Sequence, residues 1–365
     1  MALADLHLPS RLLAGGGPSS PDPRVLRAMV TPLVGQFDPS FTAIMDDVMQ
    51  LARETFLTRN PRCLPVSGLA AAGLEALLNT LVQPGDLVAV CGGPSFVAQT
   101  TELASRYGAT VALFETLGSR VVPKLVVAAM VDSVSGRQLN VKDLALACHR
   151  AGARLILEAT PGLGAVEIRV DDWGIDACVA GVDYAVGAPS GMALVTYSPE
   201  MEAMMNARTA PPRTSYLDLL QLQAYWSPER LNHHTAPTSL VYGLREALRL
   251  VQLEGLDESW ARHLRVGLAL RGGLEALGLE VSGDPPYAII RLPAAHDEAR
   301  ARRKLLQAFG VHLRCIALHT WSIGLLGADA RPDAAMRVLG AVEHVLQPSR
   351  PIKAALNAAD QRGPQ

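Results

Sequence analysis

LVAVCGGPSFVAQTTELASRYGATVALF, residues 87–114, is the stretch whose reading decides the fold. An apolar run (87–93) ends in two glycines, a helical pattern fills Phe96–Tyr107, Gly108 closes it, and a second apolar run (110–114) begins at once. Glycine just past a helical pattern is a stop signal, because it enters the left-handed conformation without steric cost. Near-continuous apolar runs of this length suit strands buried on both faces, as in a parallel sheet covered by helices.

The same alternation extends on both sides. KLVVAAMV (124–131), RLILEA (154–159), CVAGV (178–182) and MALVTY (192–197) read as strands; Gly68–Leu81 and Val141–Arg150 read as helices, with Gly85 and Gly152 behind them. ARTAPPRT (207–214) ends the alternation. Helical patterns then cover Ser239–Glu254 and Ser259–Leu277, followed by an α+β segment with strands near 287–292 and 311–316. The predicted division is an N-terminal arm (1–30), a large α/β domain (31–235) and a small C-terminal α+β domain (236–365).

Composition narrows the function classes. In 365 residues, 49% hydrophobic and 19% charged, the balance is that of a folded globular chain rather than a disordered or collagen-like one. Basic residues (33) nearly cancel acidic ones (35), so no electrostatic footprint for nucleic acid exists. The apolar run 125–131 is far shorter than the roughly 20 residues that span a bilayer, and the N-terminus lacks the features of a signal peptide, so a cytoplasmic protein is expected. Cys63, Cys91, Cys148, Cys178 and Cys315 are odd in number and widely spaced, which points to buried free thiols rather than disulfides or zinc. Only four of the basic residues are lysines: Lys124, Lys142, Lys304 and Lys353.

Several motifs admit both a plain and a functional reading. AGGGPSSPDPRVLRAM (14–29) is a turn leading to a proline at a helix start. PVSGLAAAGLEALL (65–78) puts Ser67, Gly68 and Leu69 where a strand gives way to a helix, either an ordinary helix start or a place where backbone N–H groups receive a phosphate. His233 and His234 are adjacent and so do not share a helical face; polar packing in a turn suits them better than a metal. Asp171, Asp172 and Asp176 read as a surface loop and helix start without chemistry.

Taken together, GQFDPSFTAIMDDV (35–48), DDWGIDACVAGVDYAVGAPSG (171–191), AYWSPERLNHHTAPT (224–238) and WSIGLLG (321–327) resemble the class V, fold-type I pyridoxal phosphate aminotransferases, nearest to their ureidoglycine–glyoxylate and alanine–glyoxylate branch. The resemblance runs in order along nearly the whole chain. It implies a mainly parallel seven-stranded-type sheet covered by helices, a smaller C-terminal domain and a dimer whose pocket uses both chains. Gln36 and Asn232 match the residues that help the ureidoglycine–glyoxylate group recognise its ureido-bearing substrate, which points to purine catabolism. Ser67, Gly68, Leu69, Phe96, Ser133 and Thr235 match cofactor-binding positions, Thr235 reaching in from the partner.

The chemistry transfers less well. Tyr184 stands where the resemblance places the Schiff-base lysine, and a phenol forms no imine. Glu158 replaces the aspartate that pairs with the ring nitrogen, and Ser322 replaces the arginine that grips the substrate carboxylate. The helix expected between TVALF and KLVVAAMV is reduced to ETLGSRVVP (115–123), and the segment resembling GDTST is VDSVS (131–135).

Two functions follow as expectations. One is a family member that has lost transaminase chemistry and serves as a binding or partner subunit, a homodimer or a heterodimer with an active paralogue. In it pyridoxal phosphate is not covalently attached. The other is an enzyme: an active aminotransferase using glyoxylate as acceptor, or new chemistry in the same pocket with Tyr184 beside Asp183 as acid and base.

Overall fold

A computed structural model describes residues 8–117, 121–293 and 297–346. It divides the chain into two compact units, one of Pro21–Ala261 and one that joins Met1–Ser20 to Arg262–Gln365.

The larger unit is built on a seven-stranded sheet. Its strands in chain order are β1 (Arg62–Ser67), β2 (Leu87–Cys91), β3 (Thr110–Leu113), β4 (Leu125–Ala129), β5 (Arg154–Glu158), β6 (Ala177–Gly181) and β7 (Met192–Tyr197). Across the sheet they run β1-β7-β6-β5-β4-β2-β3. All neighbours are parallel except β7, which is antiparallel to both β1 and β6. Every residue of β4, β6 and β7 is buried, as their unbroken apolar runs require. Pro65 is tolerated because β1 lies at a sheet edge.

Helices start where prolines and caps dictate. In α1 (Pro23–Met29) and α2 (Pro39–Phe56), proline holds the first turn, while Asp22 and Asp38 accept hydrogen bonds from Arg24 N and Ser40 N. The Asp-Pro of the GQFDP segment is therefore a helix start, and it fixes Gln36 just ahead of α2. Phe41, Met45, Val48, Ala52 and Phe56 form the buried stripe of α2. The helices α3 (Ala70–Leu81), α4 (Pro94–Arg106) and α5 (Val141–Ala151) link successive strands of the sheet.

The boundary between units departs from the expected one. Helix Thr238–Glu254 packs on α1 and α2 and so belongs to the larger unit, and the division falls within the next helix, Leu256–Ala276. Nor do residues 1–30 form one arm: Leu12–Leu13 pairs in parallel with Val311–His312 in the smaller unit, whereas α1 lies in the larger. An apolar pattern announces a helix but not which unit its stripe faces.

The smaller unit carries an antiparallel four-stranded sheet in which Thr320–Gly324 lies between Arg314–Ala317 and Tyr287–Arg291, with Val281–Ser282 at the far edge. One face of this sheet, including Ala288, Ile290, Trp321 and Ile323, builds the unit's core with Leu270, Leu274 and Val338. No helix among the described residues is long and apolar enough to cross a membrane. Four of the cysteines are buried and free; Cys315 is free and partly exposed.

Candidate functional site

Because β1, β2, β4, β5 and β6 run in the same direction, their C-terminal ends meet along one edge of the sheet. In sheets of this kind ligands bind there, beside the point where strand order reverses, here between β2 and β4. That edge gathers most of the residues singled out in the sequence.

Ser67 ends β1, and Gly68 and Leu69 lead into α3. Gly68 has φ +128°, and a Cβ there would come within 2.5 Å of the Ala72 side chain, so only glycine makes this turn. Its N–H is bound to the Gly191 carbonyl at 2.8 Å, which ties the turn to the segment before β7. Leu69 is the cap residue and makes no side-chain hydrogen bond. The N–H groups of Ala70 and Ala71 lie in the first turn of α3, where a helix leaves its donors unmatched and its dipole favours an anion.

Phe96 lies in the first turn of α4, after β2, with its ring against Gly92. Asp132 follows β4 and organises its own turn: it accepts from Val134 N at 3.0 Å and from the Ser135 hydroxyl at 2.7 Å. Ser133 is exposed on that turn. In the stretch ETLGSRVVP (115–123), expected to hold only a shortened connection, the structure shows a 3-10 turn at Phe114–Thr116; residues 118–120 fall outside the described residues.

Glu158 is the last residue of β5, and its carboxylate accepts from the Thr160 N–H at 3.0 Å. Burial dominates its environment and pushes its pKa above the ordinary carboxylate value. The Cys178 thiol nearby on β6 is driven well above its usual range, first by burial and then by the charge of Glu158. Thr160, which sequence reasoning missed, ties the strand ends together by accepting from Gly181 N at 2.8 Å. Its place two residues after Glu158, at a strand end, was the available signal.

Tyr184 sits in the loop after β6 and is partly buried; its carbonyl accepts from Gly187 N at 3.1 Å. Beside it, Asp183 accepts from the Ser190 hydroxyl at 2.6 Å. The lysines lie elsewhere. Lys124 precedes β4, at the opposite edge of the sheet, where its Nζ binds Asp86 at 2.6 Å and the Leu81 carbonyl at 3.0 Å. Lys142 is exposed on α5 and Lys304 on the helix Glu298–Phe309; Lys353 lies outside the described residues.

Gln36 and Asn232, 196 positions apart in the chain, meet in a hydrogen bond of 3.1 Å from Gln36 Nε2 to Asn232 Oδ1. Gln36 Oε1 and His233 Nε2 are buried without a hydrogen-bond partner. His234 stacks on Tyr216 with ring centroids 4.7 Å apart, and burial holds its pKa below the usual histidine value. Thr235 is exposed. Among the described residues no group of three or more His, Cys, Asp or Glu is placed to hold a metal ion.

One reading fails outright. Asp176, taken for a surface-loop residue, is 4% exposed and accepts from Arg154 Nη1 at 2.9 Å and Leu155 N at 2.8 Å, with His149 Nε2 at 3.0 Å. Asp171 likewise binds the Thr58 hydroxyl and Arg59 N.

Comparison with known proteins agrees with this architecture. The family model for aminotransferase class V matches residues 95–315. The (S)-ureidoglycine–glyoxylate transaminase of Bacillus subtilis is 34% identical over 408 aligned positions, which cover 99% of this chain and 98% of that one. The alanine–glyoxylate aminotransferase of Drosophila melanogaster is 30% identical over 94% of each chain. Among solved structures, the ureidoglycine–glyoxylate aminotransferase of Bacillus subtilis superposes with a TM-score of 0.92 at 36% identity, covering 98% of this chain and 99% of that one. The alanine–glyoxylate aminotransferase of Nostoc sp. gives 0.88 at 31% identity, covering 95% and 98%.

Homologues in this family depend on pyridoxal phosphate. The first turn of α3 suits its phosphate, Phe96 its ring face and Glu158 its ring nitrogen. Tyr184 offers no amine to attach it. When bound, such a ring supplies an electron sink.

Proposed function

We propose that this chain, which belongs to the class V aminotransferase family, has lost transaminase chemistry and acts as a binding or partner subunit. The observation that carries the reading is Tyr184 in the loop after β6, with Lys124 engaged by Asp86 at the opposite edge of the sheet. Transamination needs an amine that anchors the cofactor and then moves a proton, and a phenol forms no imine. What remains at the edge is a set of binding groups. The N–H groups of Ala70 and Ala71 hold a phosphate, Phe96 covers an aromatic face, and Glu158 meets a ring nitrogen. A protonated ring nitrogen beside Glu158 draws that carboxyl back to its charged form.

Gln36 and Asn232 support a ligand related to that of the ureidoglycine–glyoxylate relatives, and with it a place in purine catabolism. Oligomerisation belongs to the same proposal: Leu26, Val30, Leu33, Phe37 and Leu231, all in the larger unit, are exposed, and a second chain covers them, either a copy of this one or an active paralogue.

The test is titration of pyridoxal phosphate into the wild-type protein and into Tyr184→Lys. Wild type is expected to bind it without borohydride-fixable attachment, and the variant to gain stoichiometric attachment. Attachment in the wild type, or turnover of glyoxylate with an amino donor that is lost in Tyr184→Phe, would overturn the proposal. Sedimentation at micromolar concentration checks the dimer; a strictly monomeric species refutes that part.

A further inference from the structure

Arg62, Cys63 and Leu64, at the start of β1, line one cavity of the larger unit together. Consecutive strand residues point to opposite faces, so a cavity that touches all three lies along the strand's edge, and β1 is an edge strand. Helix α2 and helix Leu219–Trp226 both pack on β1 and wall this space. From α2 come Met49 and Arg53, at the i, i+4 spacing that puts two residues on one helical face, and from the second helix comes Trp226. The volume is about 250 Å3, and much of the lining is apolar: Met49, Cys63, Leu64, Trp226 and Pro228. Roughly 13 Å of extended chain separates Cys63 from Ser67, so the cavity is distinct from the crevice at the strand ends.

Arg53 is the anomaly. Arginines also line two other cavities of this unit, Arg59 and Arg154 in one, Arg53, Arg59 and Arg169 in the other. Arg59 pairs with Asp171, Arg154 with Asp176 and Arg169 with Glu167. In the edge cavity Arg62 pairs with Glu202, and the carboxylate of Asp46 is taken by Arg230. Arg53 alone among these arginines has no carboxylate partner among the described residues: its Nη2 donates to Gln50 Oε1, a neutral amide, at 2.9 Å. It is half-buried, and its charge reaches the cavity wall, since burial pushes the Cys63 thiol up to about 12 against the pull of Arg53. A guanidinium keeps its proton in a protein, so the cavity presents one unmatched positive charge beside an apolar surface.

We infer that this edge cavity binds a small monocarboxylate with a compact apolar body, its carboxylate on Arg53 and its body against Met49, Leu64 and Trp226. A concave, largely apolar space with a few placed polar groups is the usual form of a small-molecule site. The fork of a guanidinium matches the two oxygens of a carboxylate, and an aromatic body gains further from the Trp226 indole. A phosphate monoester carries a second charge that no unmatched cation here meets, and acetate lacks the body that covers the apolar lining. The site lies apart from the cofactor crevice, so it stands whether or not transaminase chemistry is lost.

The experiment titrates phenylacetate into the full chain and follows its ring protons by saturation-transfer NMR. Wild type is expected to bind it, and benzyl alcohol, which keeps the ring but lacks the charge, to bind about tenfold or more weakly. Pyridoxal phosphate at equal concentration should not displace it. Arg53→Gln should weaken binding by about tenfold or more, and Arg53→Lys, which restores a charge without the fork, should recover part of the loss. Met49→Trp fills the cavity and should abolish binding; should that variant not fold, Arg53→Gln carries the test, because Arg53 is half-buried and bonds only Gln50. No saturation transfer in wild type, unchanged affinity in Arg53→Gln, benzyl alcohol binding as well as phenylacetate, or displacement by pyridoxal phosphate overturns the inference.

Discussion

The two edges of the large sheet share strands and helices but differ in how their polar groups are met. At the N-terminal edge every charge singled out has a partner. Asp176, just before β6, is bound by Arg154, His149 and the Leu155 N–H, and Lys124, just before β4, is bound by Asp86 and a carbonyl. At the C-terminal edge the groups are left partly unmet. Glu158 has one backbone donor and a raised pKa, and the first turn of α3 has no side-chain cap. Saturated polar groups hold a fold together, whereas unsaturated ones at a strand-end crevice are held ready for something else.

Substitutions at the two edges should therefore differ in size and in sign. Asp176→Ala strips three contacts from one buried carboxylate and should cost roughly 2–4 kcal/mol in urea denaturation; a loss below about 0.5 kcal/mol, the size of an ordinary surface change, would break the contrast. Gly68→Ala forces a side chain into φ +128° and against Ala72, for a cost of about 1–3 kcal/mol, and should also weaken pyridoxal phosphate binding by distorting the start of α3. Glu158→Gln should act in the opposite direction and raise Tm by about 2–4 °C at pH 7.5. The folded-state pKa of Glu158 lies above its ordinary 4.5, so the folded chain binds more protons in that window and stability falls as pH rises through it. Below pH 4.5 both states are protonated and the variant should match wild type. A Tm gain independent of pH would show that packing, not charge burial, is responsible. The smallest effect belongs to Gln36→Ala: its partner Asn232 is exposed, so stability should change by no more than about 0.5 kcal/mol, seen as an unchanged urea midpoint.

The comparison also explains what could be read in advance. Strands and helices of the alternation were legible because each depends on local periodicity, and Gly152 does end α5 in the left-handed conformation at φ +82°. The turn at Ser67–Leu69 was legible too, but not which N–H groups it leaves for a ligand, because the bond from Gly68 to Gly191 joins segments far apart in sequence. Asp176 was misread for the same reason: nothing in DDWGID distinguishes an exposed aspartate from one that receives Arg154 and His149.

The sequence by itself determined the strand–helix alternation, the family and the identity of the residues at positions 158, 184 and 322. These are properties of short segments and of side-chain chemistry. Only the tertiary structure decided that the helix after LNHHTAPT belongs to the larger unit, that Gln36 touches Asn232, and that Arg314 stands opposite Ser322 with its Nε unpaired. Those facts depend on which surfaces pack and in what register strands pair, and burial of a whole chain, not local pattern, sets both.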